Sequence, residues 1–268
     1  MTSLANKVEL GRSKLRVSRL GIGSSFGVSE RACLKAFDAG VNYFFWGSLR
    51  TERMASAIRR IAHQNRNEIV VVVQCYARAL LIRRSLEAGL RKLGLDHADI
   101  LLLGWHDDPP GQRLLDTVEG LRSRGLFTCL GLSSHNRPLL GTLCSERRFD
   151  VLHVRYNAAH TGAEQDVFPL LGDDGPGIVS FTNTRWNDLL KPRNMPPGYS
   201  PPSATDCYRF ALSNPHIHVA TCAPKSDDEM DIALKTLSLG TMDEDELDRM
   251  RTIGKHVHGI QSLMAKFA

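Results

Sequence analysis

The chain has 268 residues, 42% hydrophobic and 24% charged, with a formal net charge of +5 and a pI near 9.0. That balance is expected of a soluble globular protein, and no apolar run is long enough to cross a membrane, so no membrane partner is expected. Arg59-Arg60, Arg83-Arg84 and Arg147-Arg148 are isolated pairs rather than a basic block, which points to solvated helix faces and away from nucleic acid.

In chain order, Val8 to Val17 reads as a short hairpin turning at Gly11 to Lys14. Apolar strand candidates then recur at Arg19 to Ile22, Val41 to Phe45, Ile69 to Val73, Ile100 to Leu103, Phe127 to Leu132, Val151 to Tyr156, Ile178 to Phe181 and Ile217 to Thr221. Helical patterns follow most of them. Ser29, ahead of Cys33, Ala36 and Phe37, is a helix cap by type and spacing. Met54, Ala57, Ile58 and Ile61 share one helix face, as do Ile82, Leu86, Leu90 and Leu93, and then Leu114, Leu115, Val118 and Leu121. Gly125 ends that last helix.

Lys191 to Ala204, with Pro192, Pro196, Pro197, Pro201 and Pro202, excludes helix and central strand and reads as a surface loop or a ligand cover. From Asp243 onward, Leu247, Met250, Ile253 and Val257 fall at helical spacing, and this helix is expected on the outside of the fold. Eight strand–helix alternations predict an α/β fold, a (β/α)8 TIM barrel with an N-terminal β-hairpin, spanning 1–268 as one domain. A doubly wound open sheet is the alternative.

In such a barrel the carboxyl ends of strands carry the chemistry. The run Ile100 to Leu103 ends in Gly104, Trp105, His106, Asp107, Asp108 and two prolines. If the strand continues, His106 shares a face with Gly104 and Trp105 points the other way. The cysteines (Cys33, Cys75, Cys129, Cys144, Cys207, Cys222) form no CxxC pair. With no signal peptide read at the amino terminus, reduced thiols in a cytoplasmic protein are expected. His216 with His218, and His256 with His258, lack completing ligands, so no metal is expected. Neither G-x-G-x-x-G nor a P-loop occurs.

The opening LGRSKLRVSRLGIGSSFG, then DAGVNYF, LRKLGLDHADILLL, GLFTCLGLSS and VLHVRYN, in this order and spacing, resemble the aldo-keto reductases across nearly the whole chain. The resemblance implies a (β/α) barrel opened by a hairpin and hydride transfer between NADPH and a carbonyl. It implies an Asp, Tyr, Lys and His tetrad as well. Residue by residue, these fall on Phe45, Arg50, Cys75 and Gly104, so all four are replaced. On the cofactor side, Ser133 and Ser134 fall where the family binds the nicotinamide carboxamide, and His153 where a Gln completes that contact. Phe181 falls where an aromatic ring stacks on the nicotinamide. Lys225-Ser226 is similar to the segment that holds the 2′-phosphate of NADP(H), although Asp227 and Asp228 already satisfy that helix end.

Three residues are candidate replacements in catalysis. His106 is a titratable group at a strand end, or else a rim histidine paired with Asp107 or Asp108. Cys75 is a thiolate nucleophile if Arg50 approaches it, or else buried packing. Arg50 alternatively binds an anionic substrate or phosphate. Trp46 and Trp105 line the mouth or pack. Two functions follow: an NADP(H)-binding oxidoreductase with a diverged active site, acting on a small-molecule substrate, or a catalytically inactive nucleotide- or ligand-binding barrel. The sequence does not fix the oligomeric state.

Overall fold

The computed structural model describes residues 2–47, 50–76 and 78–264, with 261–264 described by backbone alone. β1 (Val8–Glu9) and β2 (Arg16–Val17) form the expected hairpin, with Val8 opposite Val17. Gly11 turns there with φ 49°, and a Cβ on it would lie 2.4 Å from the Gly177 nitrogen, so only glycine fits. Leu10 and Val17 are fully buried against the inner core and close the amino-terminal end of the barrel.

Eight parallel strands follow: β3 (Leu20–Gly23), β4 (Tyr43–Trp46), β5 (Val70–Cys75), β6 (Ala98–Leu103), β7 (Phe127–Ser134), β8 (Val151–Arg155), β9 (Gly177–Phe181) and β10 (Val219–Cys222). They pair in chain order and β10 returns to β3, so the sheet is a closed barrel and not the open alternative. Alternation sorts their side chains. Val70, Val72, Ile100, Leu102, Val151, Val179 and Val219 fill the barrel, whereas Val71, Val73, Leu101, Leu103 and Leu152 pack under the helices. Both faces are covered, which is why the strands read as unbroken apolar runs.

Two carboxylates hold strand ends in place. Asp99, at the start of β6, accepts from the Val71 N–H at 2.7 Å and pairs with Arg66 at 3.0 Å. Asp150, just before β8, accepts from the Leu130 N–H at 2.8 Å and pairs with Arg122 at 2.8 Å.

The helices are α1 (Glu30–Asp38), α2 (Glu52–Asn65), α3 (Ala79–Leu93), α4 (Gln112–Ser123), α5 (Arg137–Leu143), α6 (Ala163–Asp166), α7 (Ala204–Ser213), α8 (Asp227–Leu239) and α9 (Glu244–Met264). Ser29 caps α1 by accepting from the Ala32 N–H. The predicted stripes of α2 and α3 are buried, while on α4 Val118 and Leu121 are buried and Leu114 and Leu115 only half so. Gly125 turns the chain just past α4 with φ 73°.

α9 lies outside the barrel with Met250, Ile253 and Val257 buried. None of the helices among the described residues is long and apolar enough to span a membrane. The outer ring is least regular after β8 and β9, where α6 is a single turn and no α-helix follows β9 until α7. The proline-rich stretch, expected to exclude helix, contains one 3-10 turn, Pro192–Asn194. Pro192 takes its first position, where a missing N–H costs nothing.

Candidate active site

A cavity of about 860 Å³ opens at the carboxyl ends of the strands. Its floor is built from inward positions at the strand tips: Gly23, Phe45, Gln74, Ser133, His153 and Phe181. Its mouth is aromatic, with Phe26, Tyr76, Trp105 and Trp186 each more than half exposed. The proline-rich stretch and its flanks contribute Leu190, Pro202 and Ser203 to the wall, in line with a ligand cover.

At the floor His153 is buried, and its Nε2 lies 2.8 Å from the Tyr43 hydroxyl. Burial holds this imidazole down at about 3, so it is neutral at ordinary pH. Its ring meets Phe45 edge-on at 5.3 Å. His135 stands between Trp105 and Phe181, edge-on to both at 5.6 and 5.3 Å. Its Nδ1 is buried without a hydrogen-bond partner, and burial lowers its pKa, with Arg155 adding to the effect and Asp107 opposing it.

The expected catalytic residues do not converge on this cavity. Cys75 points outward into the core beneath the helices, because Val70, Val72 and Gln74 take the inward positions of β5. Gln74 therefore holds the inward place at the tip of β5 that the sequence comparison gave to Cys75. Arg50 does approach Cys75, with Nη2 at 3.2 Å from Sγ, but it does so behind the wall. Its guanidinium also donates to the Gln74 and Ser85 carbonyls and lies 5.3 Å over the Trp46 ring.

His106 shares no strand face with Gly104, because β6 ends at Leu103 and Trp105 takes φ 49°. That turn brings Trp105 to the cavity and leaves His106 outside its lining, with the His106 N–H donating to the Ser133 carbonyl at 3.1 Å. Burial lowers the His106 pKa, and Asp107 opposes this.

Of the expected cofactor residues, Ser133, His153, Phe181 and Lys225 line the cavity. Ser134 is buried and accepts from the Asn136 N–H at 2.8 Å, away from it. Ser226 caps α8 by accepting from the Glu229 N–H, and the Glu229 carboxylate in turn accepts from the Lys225 N–H at 2.8 Å.

Sequence reasoning missed Tyr76. Gly104 has no side chain, and a Cβ there would lie 2.7 Å from both the Tyr76 ring and the Gln74 amide nitrogen. Tyr76 occupies this space and donates from its hydroxyl to Gln74 Oε1 at 3.0 Å. The lone polar residue in the run Val70 to Cys75 was the available signal. The segment after β9 was missed too. Thr182, Arg185, Trp186 and Asn187 all take positive φ, between 50° and 67°. Such a concentration of left-handed non-glycine residues marks sites where function overrides local preference.

A parallel eight-stranded barrel with a ligand-sized cavity at its carboxyl end, lined by strand tips and loops, defines the class of (β/α)8 enzymes. Within it, the "Aldo/keto reductase family" profile matches residues 28–190. The chain belongs to this family of oxidoreductases. It is similar to aldo-keto reductase AKR11C1 from Bacillus halodurans in its holo form, with a TM-score of 0.78, 18% identity and coverage of 93% of this chain and 96% of that one. The apo form of the same protein gives a TM-score of 0.76 at 17% identity, with the same coverage. The "L-galactose dehydrogenase" of Arabidopsis thaliana is 24% identical over 225 residues, 72% of this chain and 69% of that protein. The "NADH-specific methylglyoxal reductase" of Escherichia coli is 26% identical over 98 residues, 35% of this chain and 30% of that protein.

Proposed function

We propose that the chain is an NADP(H)-dependent reductase of small carbonyl compounds whose proton donor is Tyr76. The observation that carries this reading is a single cavity running from Tyr76 and Gln74, past Ser133, His153 and Phe181, to Lys225. About 860 Å³ is ample for a dinucleotide and a small substrate. Ser133, His153 and Phe181 fit the nicotinamide end, and Lys225 the 2′-phosphate. When bound, the dinucleotide supplies a hydride to a carbonyl carbon.

The chain supplies the proton. The Tyr76 phenol lies in the cavity wall with its O–H resting on Gln74 Oε1; the hydroxyl turns from Gln74 to the carbonyl oxygen and gives it this proton, leaving the phenolate. Gln74, a neutral amide, orients the phenol and supplies no charge to it. Arg50, Cys75 and Trp46 brace the outer side of the same strand tip. The expected rates are therefore low for ordinary aldehydes.

One observation favours a second reading, a ligand-binding barrel without turnover. The Arg50 cation, in the segment expected to carry the proton donor, is committed to backbone carbonyls outside the cavity.

NADPH fluorescence titration, followed by NADPH oxidation with aldehydes, ketones and quinones, tests both readings. A positioned general acid contributes about 10²–10⁴-fold. Tyr76→Phe is expected to lose that factor while still binding NADPH, and Gly104→Ala to lose it by displacing the ring. An unchanged rate in Tyr76→Phe, with loss in His106→Ala, would move the donor to His106. NADPH binding without any turnover supports the second reading.

A further inference from the structure

Beneath the cavity floor lies a group that the reductase chemistry leaves idle. Tyr43 opens β4 and is fully buried in the inner core with Val72 and Val179. Its ring is seated on Gly21 of the neighbouring strand, where a Cβ would lie 2.7 Å from it. Its hydroxyl lies 2.8 Å from His153 Nε2. Phe45, two residues along β4, points the same way. The Phe45 ring fills the space beside Gly47 and meets His153 edge-on at 5.3 Å. The imidazole is thus held from two sides by rings that glycines accommodate.

Burial fixes where the protons of this pair sit. A buried phenol needs an acceptor, and among the described residues the Tyr43 hydroxyl hydrogen-bonds to His153 Nε2 alone. Nε2 therefore accepts, so it carries no proton of its own. Burial also keeps the ring neutral, which puts its single proton on Nδ1. Nδ1 makes no hydrogen bond among the described residues and is not sealed inside the protein, so it opens on the cavity that His153 lines. Ser133, its partner in register on β7, lines the cavity beside it. An N–H donor next to a hydroxyl, beside the Phe45 and Phe181 rings, matches the oxygen and nitrogen of a primary amide. The other tautomer would present a bare Nδ1 lone pair to that oxygen.

We propose that Tyr43 is a positioning residue: its hydroxyl locks His153 in the tautomer whose Nδ1–H donates to the carboxamide oxygen of bound nicotinamide. A neutral histidine offers this donor in one tautomer only, so the phenol beneath it decides whether the floor receives the carboxamide. This rests on reading the floor as the nicotinamide end, but its first test needs no cofactor.

The first measurement is the nitrogen NMR spectrum of the full chain carrying isotope-labelled histidine, without ligand. The chain has 10 histidines, and the signals lost in His153→Gln assign this ring. A protonated Nδ1 beside an unprotonated Nε2 is expected. A protonated Nε2 in the unmutated protein would overturn the proposal, whether or not Tyr43→Phe folds. The second measurement is calorimetric titration with NADPH and with 2′-phospho-ADP-ribose, which lacks the nicotinamide. Loss of one neutral hydrogen bond predicts about three- to tenfold weaker NADPH binding in Tyr43→Phe. Binding of 2′-phospho-ADP-ribose should not change, and both tautomers of His153 should appear. Unchanged NADPH affinity, or equal weakening of both ligands, overturns the positioning role. So does NADPH binding no tighter than 2′-phospho-ADP-ribose in the unmutated protein, because nothing at the floor then holds the nicotinamide. The reductase reading fails separately: no carbonyl turnover, beside the expected tautomer and the selective loss in Tyr43→Phe, would sink it and leave the role of Tyr43 standing.

Discussion

Acidification from pH 7.5 to 5 is expected to destabilise this barrel through two buried histidines. His153 sits at the cavity floor against the Tyr43 hydroxyl, and burial takes it from 6.5 to about 3. His218 lies just before β10, its Nδ1 accepting from the Ile178 N–H at 3.1 Å, and burial takes it from 6.5 to about 4. Both are depressed, so the folded chain stays neutral at these sites while the unfolded chain binds protons below 6.5. Their contribution is complete above that pH and erodes as pH falls toward the folded values.

Each unit of pH in this window is worth about 1.4 kcal/mol per histidine. By pH 5 each costs about 2 kcal/mol and the pair about 4, a large part of a typical 5–15 kcal/mol stability. The carboxylates with lowered pKa, Asp227 and Glu246 among them, titrate below this window and contribute little to it. Urea unfolding at pH 7.5, 6 and 5 measures the loss. His153→Gln, whose amide can still meet the Tyr43 hydroxyl, should reduce the pH-dependent part by about 2 kcal/mol. Stability that is flat from pH 7.5 to 5, or a His153→Gln variant with the full loss, would refute the reasoning.

Lys225 and Glu229 both line the cavity, and under the proposed function they set the cofactor choice. Lys225→Ala is expected to remove most of any preference for NADPH over NADH, and Glu229→Gln to increase it; equal affinity for both cofactors in the unmutated protein would contradict the assignment. Gly254→Ala should lower the melting temperature sharply, because its Cβ would lie 1.9 Å from the Ala158 carbonyl oxygen. Backbone has to move to admit it, at a cost of about 1–3 kcal/mol or more, and a melting temperature within error of the unmutated protein would show that α9 is not seated there.

The barrel was legible because its strands are covered on both faces. Ile100 to Leu103 and Val70 to Val73 are unbroken apolar runs, and that feature announces a parallel sheet. The same feature hides which residue faces inward. In Val70-Val71-Val72-Val73 nothing alternates, so the inward register of β5 could not be read, and the tip residue was set at Cys75 rather than Gln74. A slip of one residue moves every side chain to the opposite face. At the tips of β7 and β9, by contrast, the expected residues Ser133 and Phe181 do line the cavity.

The end of β6 failed for a different reason, and it bears on where function sits. Reading His106 onto the face of Gly104 assumes extended backbone through Trp105, but Trp105 has φ 49°. A bulky aromatic residue in that region is strained, and propensity arguments cannot anticipate it. Thr182, Arg185, Trp186 and Asn187 share this conformation, and with Trp105 they surround one end of the barrel. Of the left-handed non-glycine residues described, only Lys14 in the hairpin lies elsewhere. Natural chains break local rules at functional sites and compensate in the surrounding structure. Here the compensation is visible: Asn157 accepts from Ala159 and donates to the Thr182 carbonyl, while Arg185 donates its N–H to that same carbonyl. The strained turn therefore holds Trp186 at the cavity mouth. The residues that defeat sequence reasoning are the ones that shape the mouth.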